Sequence, residues 1–308
     1  MKRLVTRSDF DGLACAMMLK ELNLIDDIKF VHPKDVQDGK IELSENDITT
    51  NLPYDPRVGI AFDHHESEVD RLKAISTGGK LIIDPNAKSA ARVLYNYYGG
   101  KKAFPRISDD LMEAVDKADS ADFTIDDILN PKDWVLLNYI MDPRTGLGRF
   151  HDFRISNYDL MMELISECLV HPINEIMELP DVKERTKLYF EQSELFKKQL
   201  QEITKIHDKV IIIDLRDQDV IYAGNRFMVY AMYPEIEISV HVAWGFKKQN
   251  TAVMIGKSII NKNSKVDIGE LCLEYGGGGH ANAGTCQLDN DKVDNELPTI
   301  IAKLNGKK

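Results

Sequence analysis

Two short polar segments in the N-terminal half of the chain carry side chains suited to binding metal ions. The first places the carboxylates of Asp9 and Asp11 two residues apart, directly after a predicted strand. Open α/β sheets bind ligands at the carboxyl ends of their strands, so both carboxylates can converge on one cation. Gly12 then allows the chain to turn sharply into a helix. Taken alone, this segment is more often a loop in which Asp11 merely caps that helix.

The second segment is Asp63-His64-His65, which also follows a predicted strand. An acid followed by two adjacent histidines is an uncommon pattern. Neutral imidazole is a frequent metal ligand, and a neighbouring carboxylate can fix its tautomer. Hard divalent cations favour carboxylate ligands, and imidazole shifts the preference towards Mn²⁺. Together, the two segments predict a divalent-cation site.

The elements that must position these residues alternate between strands and helices. A β-then-α order of this kind predicts an α/β fold with a mainly parallel, doubly wound sheet. The expected strands are residues 4–6, 29–31, 48–51, 59–62 and 81–83, and the expected helices are residues 12–22, 89–98 and 111–118.

The remainder of the chain predicts a helical connector and a second, smaller α/β domain. Residues 132–207 have a helical pattern, and 181–207 are expected to form one long amphipathic helix. Stretches rich in β-branched residues predict strands at 210–215, 238–246 and 251–260, before a final helix at 295–304. The predicted domains are therefore 1–180, a connector at 181–208, and 209–308.

Composition narrows the class of protein. The 308 residues are 43% hydrophobic and 29% charged, which is typical of a folded globular protein. The net charge of −11 lacks the basic footprint of a protein that grips long DNA. Neither an apolar run of membrane-spanning length nor a signal peptide is recognisable. The four cysteines form no CxxC pair and are expected to be reduced, which favours a cytoplasmic location.

The order of these motifs resembles the DHH phosphoesterase superfamily. That superfamily includes RecJ-like exonucleases, nanoRNases, cyclic-dinucleotide phosphodiesterases, exopolyphosphatases and family II inorganic pyrophosphatases. The resemblance implies a further acidic ligand in a later helix, for which Asp119 fits best and Asp116 second. The segment GGGGHANAG at 276–284 is similar to the glycine-rich motif of the DHH-associated domain. The resemblance thus spans almost the whole chain.

The chain departs from the family pattern at two positions. The family often has a histidine just before DxDG, where this sequence has Val5 and Arg7. Its second motif is an aspartate that often bridges two metal ions. The strand-end argument places Asn51 there, whereas Asp47 would lie at the opposite end of the sheet. An amide is a poor bridge because it is uncharged. The family pattern therefore leaves open whether one or two ions of Mn²⁺ or Mg²⁺ bind.

The resemblance implies a role for each candidate residue. The expected metal ligands are Asp9, Asp11, His64, Asp119 and, as the uncertain member, Asn51. Asp63 is expected to orient the histidine pair, and His65 to contact the scissile phosphate or assist the leaving group. The expected substrate-binding residues are Gly278, Gly279, His280, Arg226 and Arg7, with Lys257 as an alternative to Arg226.

The resemblance implies a hydrolase that acts on a small phosphorylated substrate, and it leaves the substrate open. We expect an exopolyphosphatase-like activity first, and a phosphodiesterase of short oligonucleotides or cyclic dinucleotides as the alternative. Arg7 either occupies the space of one metal ion or holds a phosphate, and with Asn51 it makes the expected site a modified one. A full site that uses Asp47, or a catalytically weak protein that binds phosphorylated ligands, are the other two hypotheses. The family also suggests a homodimer.

Overall fold

A five-stranded parallel sheet carries the acidic segments. The computed structural model describes residues 2–65, 68–69 and 80–306. The strands are β1 (Arg3–Thr6), β2 (Asp27–Phe30), β3 (Asp47–Thr50), β4 (Ile60–Asp63) and β5 (Leu81–Ile83). Their order is β2-β1-β3-β4-β5, and every pair is parallel. The predicted α/β class and the mainly parallel sheet are therefore confirmed.

Helices also contribute to the core of the first unit. They are α1 (Phe10–Glu21), α2 (Pro33–Gln37), α3 (Ala90–Tyr98), α4 (Asp109–Asp119), α6 (Asp133–Met141), α7 (Asn157–Glu167), α8 (Ile173–Ile176) and the start of α9 (Pro180–Ile203). Residues 10 to 19 of α1 are all buried, which suits a segment that is apolar on nearly every face. This helix packs against α3, α4 and α7.

The second unit contains a six-stranded mixed sheet. Its strands are β6 (Thr204–His207), β7 (Val210–Asp214), β8 (Ile238–Trp244), β9 (Thr251–Lys257), β10 (Gly278–His280) and β11 (Ala283–Leu288), in the order β10-β11-β9-β8-β7-β6. Only the β7–β8 pair is parallel among these described strands. The helices of this unit include α5 (Ile125–Leu129), α10 (Met228–Met232), α11 (Ile268–Glu274) and α12 (Val293–Leu304). Its core lies between the sheet and the last two helices.

The boundary between the two units falls inside α9. Residues 1–122 and 131–188 form one compact unit, and residues 123–130 and 189–308 form the other. The division into domains at 1–180, 181–208 and 209–308 stays a prediction. In the described part of the chain, no helix combines the length and the apolar character that crossing a membrane requires.

Two expectations about the middle of the chain were wrong. Residues 142–156 are not helical throughout, because they contain only two short 3₁₀ turns, Pro143–Thr145 and Leu147–Arg149. The long helix ends at Ile203 instead of His207, since residues 204–207 form β6 and pair with β7. A two-residue turn joins these strands, and Asp208 adopts a φ of 55° there, a conformation that Asp tolerates.

Candidate metal centre

The carboxyl ends of β1, β3 and β4 bring the N-terminal motifs to one edge of the parallel sheet. The order of the strands changes direction between β1 and β3, which is where such sheets bind ligands. Two buried threonines join these strands just before the motifs begin. Thr50 Oγ1 donates to Thr6 Oγ1 at 2.7 Å, and Thr6 Oγ1 donates to the Thr50 carbonyl at 3.2 Å. The loops that follow β1 and β3 therefore leave the sheet from fixed positions.

The turn from β1 into α1 holds Asp9 between two donors. Asp9 caps the helix, and its Oδ1 accepts a hydrogen bond from the Gly12 amide at 3.0 Å. Its Oδ2 lies 3.0 Å from Nε of Arg7. Gly12 is required for packing, because a Cβ at this position would lie 2.0 Å from the Arg7 carbonyl oxygen. The glycine of DxDG thus allows Arg7 to sit over the start of the helix.

Asp11 is buried and links three elements of the first unit. Its Oδ1 accepts a hydrogen bond from the Ala91 amide at 2.7 Å, in the first turn of α3. Its Oδ2 accepts one from Nδ2 of Asn51 at 2.8 Å. The positive end of the helix dipole favours a carboxylate at the start of α3. Capping α1, the alternative role for Asp11, belongs to Asp9 instead.

Asn51 directly follows β3 and has a left-handed backbone, with a φ of 53°. Its amide nitrogen donates to the carbonyl of Phe62, which ties the end of β3 to β4. The side chain is buried, and among the described residues Oδ1 has no hydrogen-bond partner. A buried amide oxygen without a donor is unfavourable, so this atom is suited to a cation.

His64 and Asp119 approach each other from β4 and α4. Nε2 of His64 lies 2.8 Å from Oδ2 of Asp119. This contact lacks hydrogen-bond geometry, because Nε2 is buried with no hydrogen-bond partner in the described structure. Nδ1 of His64 lies 3.2 Å from the Ala87 carbonyl, to which it can donate. That donation leaves Nε2 facing Asp119, so the two become converging ligand atoms once Nε2 has lost its proton.

Asp63 is hydrogen-bonded to both residues of the histidine pair. Its Oδ1 accepts hydrogen bonds from the His64 amide at 2.9 Å and from Nδ1 of His65 at 2.8 Å. Asp63 itself is buried, whereas the His65 side chain is 47% exposed. The three residues each offer a ligand atom within 4.8 Å of the others. Because Asp63 Oδ1 is already engaged twice, we interpret it as a positioning residue rather than a ligand.

Uncompensated negative charge perturbs the titration of this site. Burial raises the pKa of Asp9, and the charge of Asp119 adds to this against the opposing charge of Arg7. Burial also raises the pKa of Asp11 well above its usual range, and Asp119 and Asp9 add to it. Burial lowers the pKa of His64, but the carboxylates of Asp119, Asp11 and Asp63 outweigh it and raise this pKa to about 9. A bound cation would relieve this repulsion.

The donor set fits a divalent cation. Carboxylate and amide oxygens with one imidazole nitrogen suit Mn²⁺, and to a lesser extent Mg²⁺. Two buried ligand atoms, His64 Nε2 and Asn51 Oδ1, have no other described partner. Asp11 and Asp119 contribute the negative charge. These four residues would hold the ion.

Two acidic residues considered in the sequence lie away from this cluster. Asp47 begins β3 at the opposite end of the sheet, where Arg3 and Ser44 donate to its carboxylate. Asp116 accepts hydrogen bonds from Ser89 at 2.7 Å and from Arg92 at 2.8 Å. Both acids therefore have structural partners. A full site that uses Asp47 does not agree with this geometry.

The glycine-rich segment has a structural reason for some of its glycines. A Cβ on Gly277 or Gly279 would lie 2.1 or 2.3 Å from a carbonyl oxygen of β11, whereas Gly278 has open space. His280 ends strand β10 and is exposed. The segment thus folds as a tight β-hairpin with room at Gly278.

The two cationic candidates of the second unit lie near the end of β9 and the start of α10. The guanidinium of Arg226 lies 4.4 Å from the centre of the Phe227 ring. Lys257 ends β9, and its backbone amide donates to the Asn282 carbonyl at 2.9 Å. Substrate binding by Arg226, Gly278, Gly279 and His280 stays a prediction.

The sequence did not reveal two contributors to the site. The first is the start of α3, where the Ala91 amide holds Asp11; a backbone amide leaves no trace in a motif. The second is Arg144, whose side chain is 45% exposed and whose Nε donates to Asp142 at 2.8 Å. Its positive charge acts on Asp9 and Asp119. The segment Asp142-Pro143-Arg144-Thr145-Gly146 indicates a turn, and the arginine within it was the available signal.

Comparison with known proteins identifies a similar solved structure. Neither a scan against protein-family models nor a search of curated proteins finds a match. The chain is 51% identical to the pGpG-specific phosphodiesterase PggH from Vibrio cholerae, with 100% of each chain covered and a TM-score of 0.88.

Two more distant structures share the fold. The first is RecJ in complex with Mn²⁺ from Thermus thermophilus, at 12% identity and a TM-score of 0.50, covering 100% of this chain and 52% of that one. The second is CDC45 from Entamoeba histolytica, at 8% identity and a TM-score of 0.50, covering 99% of this chain and 95% of that one.

Proposed function

We propose that this chain, which belongs to the DHH phosphoesterase superfamily, is a phosphodiesterase that hydrolyses the dinucleotide pGpG. Membership makes the chain a phosphoesterase. The observation that carries the choice of substrate is the 51% identity to PggH over the whole of both chains. The exopolyphosphatase-like activity expected from the sequence is therefore supported less well than its alternative, a short-oligonucleotide phosphodiesterase.

The proposed reaction adds water to the phosphodiester between the two nucleosides. Oxygen of the water bonds to phosphorus, the bond from phosphorus to O3′ breaks, and two molecules of guanosine monophosphate result. A divalent cation, Mn²⁺ in preference to Mg²⁺, would supply charge neutralisation at the phosphate and would activate water. Asp11, His64, Asp119 and Asn51 would hold it. Asp9 adds negative charge and keeps Arg7 in place.

Two side chains at this site have the chemistry to act on the substrate directly. We assign His65 to the leaving O3′ oxygen, which must gain a proton when its bond to phosphorus breaks. Asp63 fixes Nδ1 of His65, so Nε2 is the atom left to transfer that proton. We assign Arg7, whose side chain is 30% exposed, to a non-bridging phosphate oxygen. Both groups remain partly accessible at the edge of the sheet.

The experiment that tests this function is product release by the purified full chain with Mn²⁺. The substrates are pGpG, cyclic di-GMP, pyrophosphate and inorganic polyphosphate, and Asp11→Ala is the matched inactive variant. We expect guanosine monophosphate from pGpG, no phosphate from polyphosphate, and loss of at least about 1,000-fold in kcat with Asp11→Ala. Faster hydrolysis of polyphosphate or pyrophosphate than of pGpG would overturn the proposal. Circular dichroism checks that the variant is folded.

A further inference from the structure

The site in the first unit contains a positive charge of its own. Nε of Arg7 lies 3.0 Å from Oδ2 of Asp9, while the Gly12 amide occupies Oδ1 of the same carboxylate. We propose that the site binds a single divalent cation, and that the guanidinium of Arg7 supplies beside Asp9 the charge of a second one. This inference rests on the proposed function, because it describes the same site.

The position of Arg7 is determined by the fold. The start of α1 leaves no room for a Cβ on Gly12, where it would lie 2.0 Å from the Arg7 carbonyl oxygen. The backbone of Arg7 is thereby packed against the helix whose first carboxylate it neutralises. An ion pair between a guanidinium and a largely buried carboxylate is strong and geometrically specific. A cation at Asp9 would have to displace this partner.

The ligand atoms without a partner lie elsewhere in the site. His64 Nε2 and Asn51 Oδ1 are the buried site atoms with no hydrogen-bond partner in the described ranges. Nε2 already lies 2.8 Å from Asp119 Oδ2. Asn51 is bonded to Asp11, whose carboxylate oxygens each retain a lone pair beside the hydrogen bond they accept. We assign these atoms to one cation.

The charges agree with one ion. Asp9, Asp11, Asp63 and Asp119 carry four negative charges, and Arg7 compensates one of them. One divalent cation reduces the remainder to a single negative charge, and His64 adds none once it has lost its proton to bind the ion. Arg144 also lies near, but Asp142 is its direct partner. A second divalent cation would make the net charge of the site positive before any substrate arrives. A substrate phosphate in contact with Arg7 fits the position of a second cation better.

The test counts bound Mn²⁺ in the absence of substrate. Equilibrium dialysis with elemental analysis gives the number of ions per full-length chain, and electron paramagnetic resonance separates an isolated Mn²⁺ from a spin-coupled pair. We expect one ion and an uncoupled spectrum for the wild-type chain. Two tightly bound ions with a coupled spectrum would overturn the inference. The wild-type result decides even if a variant does not fold.

A matched set of variants tests the role of Arg7. The double variant Arg7→His with Asn51→Asp removes the guanidinium and adds ligands, so it should bind two ions. Arg57→His, at an arginine paired with Asp55 away from the site, should still bind one. If the folded double variant also binds one ion, Arg7 does not stand in for a cation. Because no step of this test involves pGpG, a chain that binds one ion without hydrolysing pGpG contradicts only the proposed function.

Discussion

Nε2 of His64 and Oδ2 of Asp119 lie 2.8 Å apart without the geometry of a hydrogen bond. The two atoms lie this close because other contacts of each residue fix its position. The Ala87 carbonyl accepts from the His64 ring, and Asp119 lies at the end of α4. A cation that replaces the Nε2 proton of His64 would bind both atoms at once. The pair is therefore the most direct target for testing metal binding.

Asp119→Asn is expected to weaken Mn²⁺ binding by at least about 100-fold, since loss of a direct ligand should exceed the effect of losing a supporting residue. Isothermal titration calorimetry measures the change. Asp116→Asn is the matched control three residues earlier. It should lower the free energy of unfolding by about 1–2 kcal/mol by weakening the contact with Arg92, and change Mn²⁺ affinity less than about tenfold. Equal loss of affinity in both variants would contradict the ligand assignment.

Mn²⁺ affinity is expected to rise with pH. In the metal-free protein, the pKa of His64 is raised to about 9, so the proton must leave before Nε2 can bind an ion. Below that pKa the affinity should increase by up to about tenfold per pH unit, and it should level off near pH 9. Calorimetry in buffers of different ionisation enthalpy should show release of about one proton at pH 7. Affinity independent of pH from 6 to 8 would contradict this.

Substitutions in the hairpin around Gly278 can distinguish an effect on folding from an effect on substrate binding. Gly278→Ala has open space and should change the free energy of unfolding by less than about 0.5 kcal/mol. If the backbone of Gly278 contacts the substrate, KM for pGpG should rise at least about fivefold. Gly277→Ala should instead destabilise the protein by about 3 kcal/mol, because its Cβ would lie 2.1 Å from the Thr285 carbonyl. Unchanged kinetics in Gly278→Ala would remove this residue from the substrate site.

His241 on β8 should make the protein less stable in mild acid. Burial lowers the pKa of its imidazole to about 4, whereas the unfolded chain binds a proton below about pH 6.5. The unfolded state therefore binds more protons between those values, and the free energy of unfolding falls as pH drops through that window. The contribution is at most about 3 kcal/mol. Urea unfolding at pH 5 and 7 should show a smaller pH dependence for His241→Gln than for the wild type; identical profiles would contradict it.

Much of the first unit could be predicted from the sequence because its signals are local. Each strand of the parallel sheet is a short segment that contains β-branched or other apolar residues, and the position after it determines which polar side chains reach the ligand edge. This argument placed Asn51 rather than Asp47 beside Asp11, and the structure agrees. By contrast, the amide of Ala91 and the charge of Arg144 reach the site through tertiary packing. No spacing in the sequence encodes such contacts.

The errors in the middle of the chain have a related origin. The predicted helix at 181–207 follows a continuous amphipathic pattern. That pattern gives no indication of the strand at its C-terminal end. Residues 204–207 become β6 because β7 offers an unpaired edge and Asp208 permits a tight turn. Tertiary pairing thus overrides a weak helical preference. The glycine run shows the same limit, since which glycines pack closely depends on β11.

The ligands proposed for the cation come from positions 11, 51, 64 and 119, so they meet only when β1, β3, β4 and α4 have all assembled. Contacts of such large sequence separation are slow to form during folding. The ion therefore cannot act as a template for the early chain. It binds the native state in preference to the unfolded one. The rate of unfolding therefore falls as the fraction of chains with a bound ion rises. In the cell, the supply of this ion would then influence how long the protein survives as well as how fast it works.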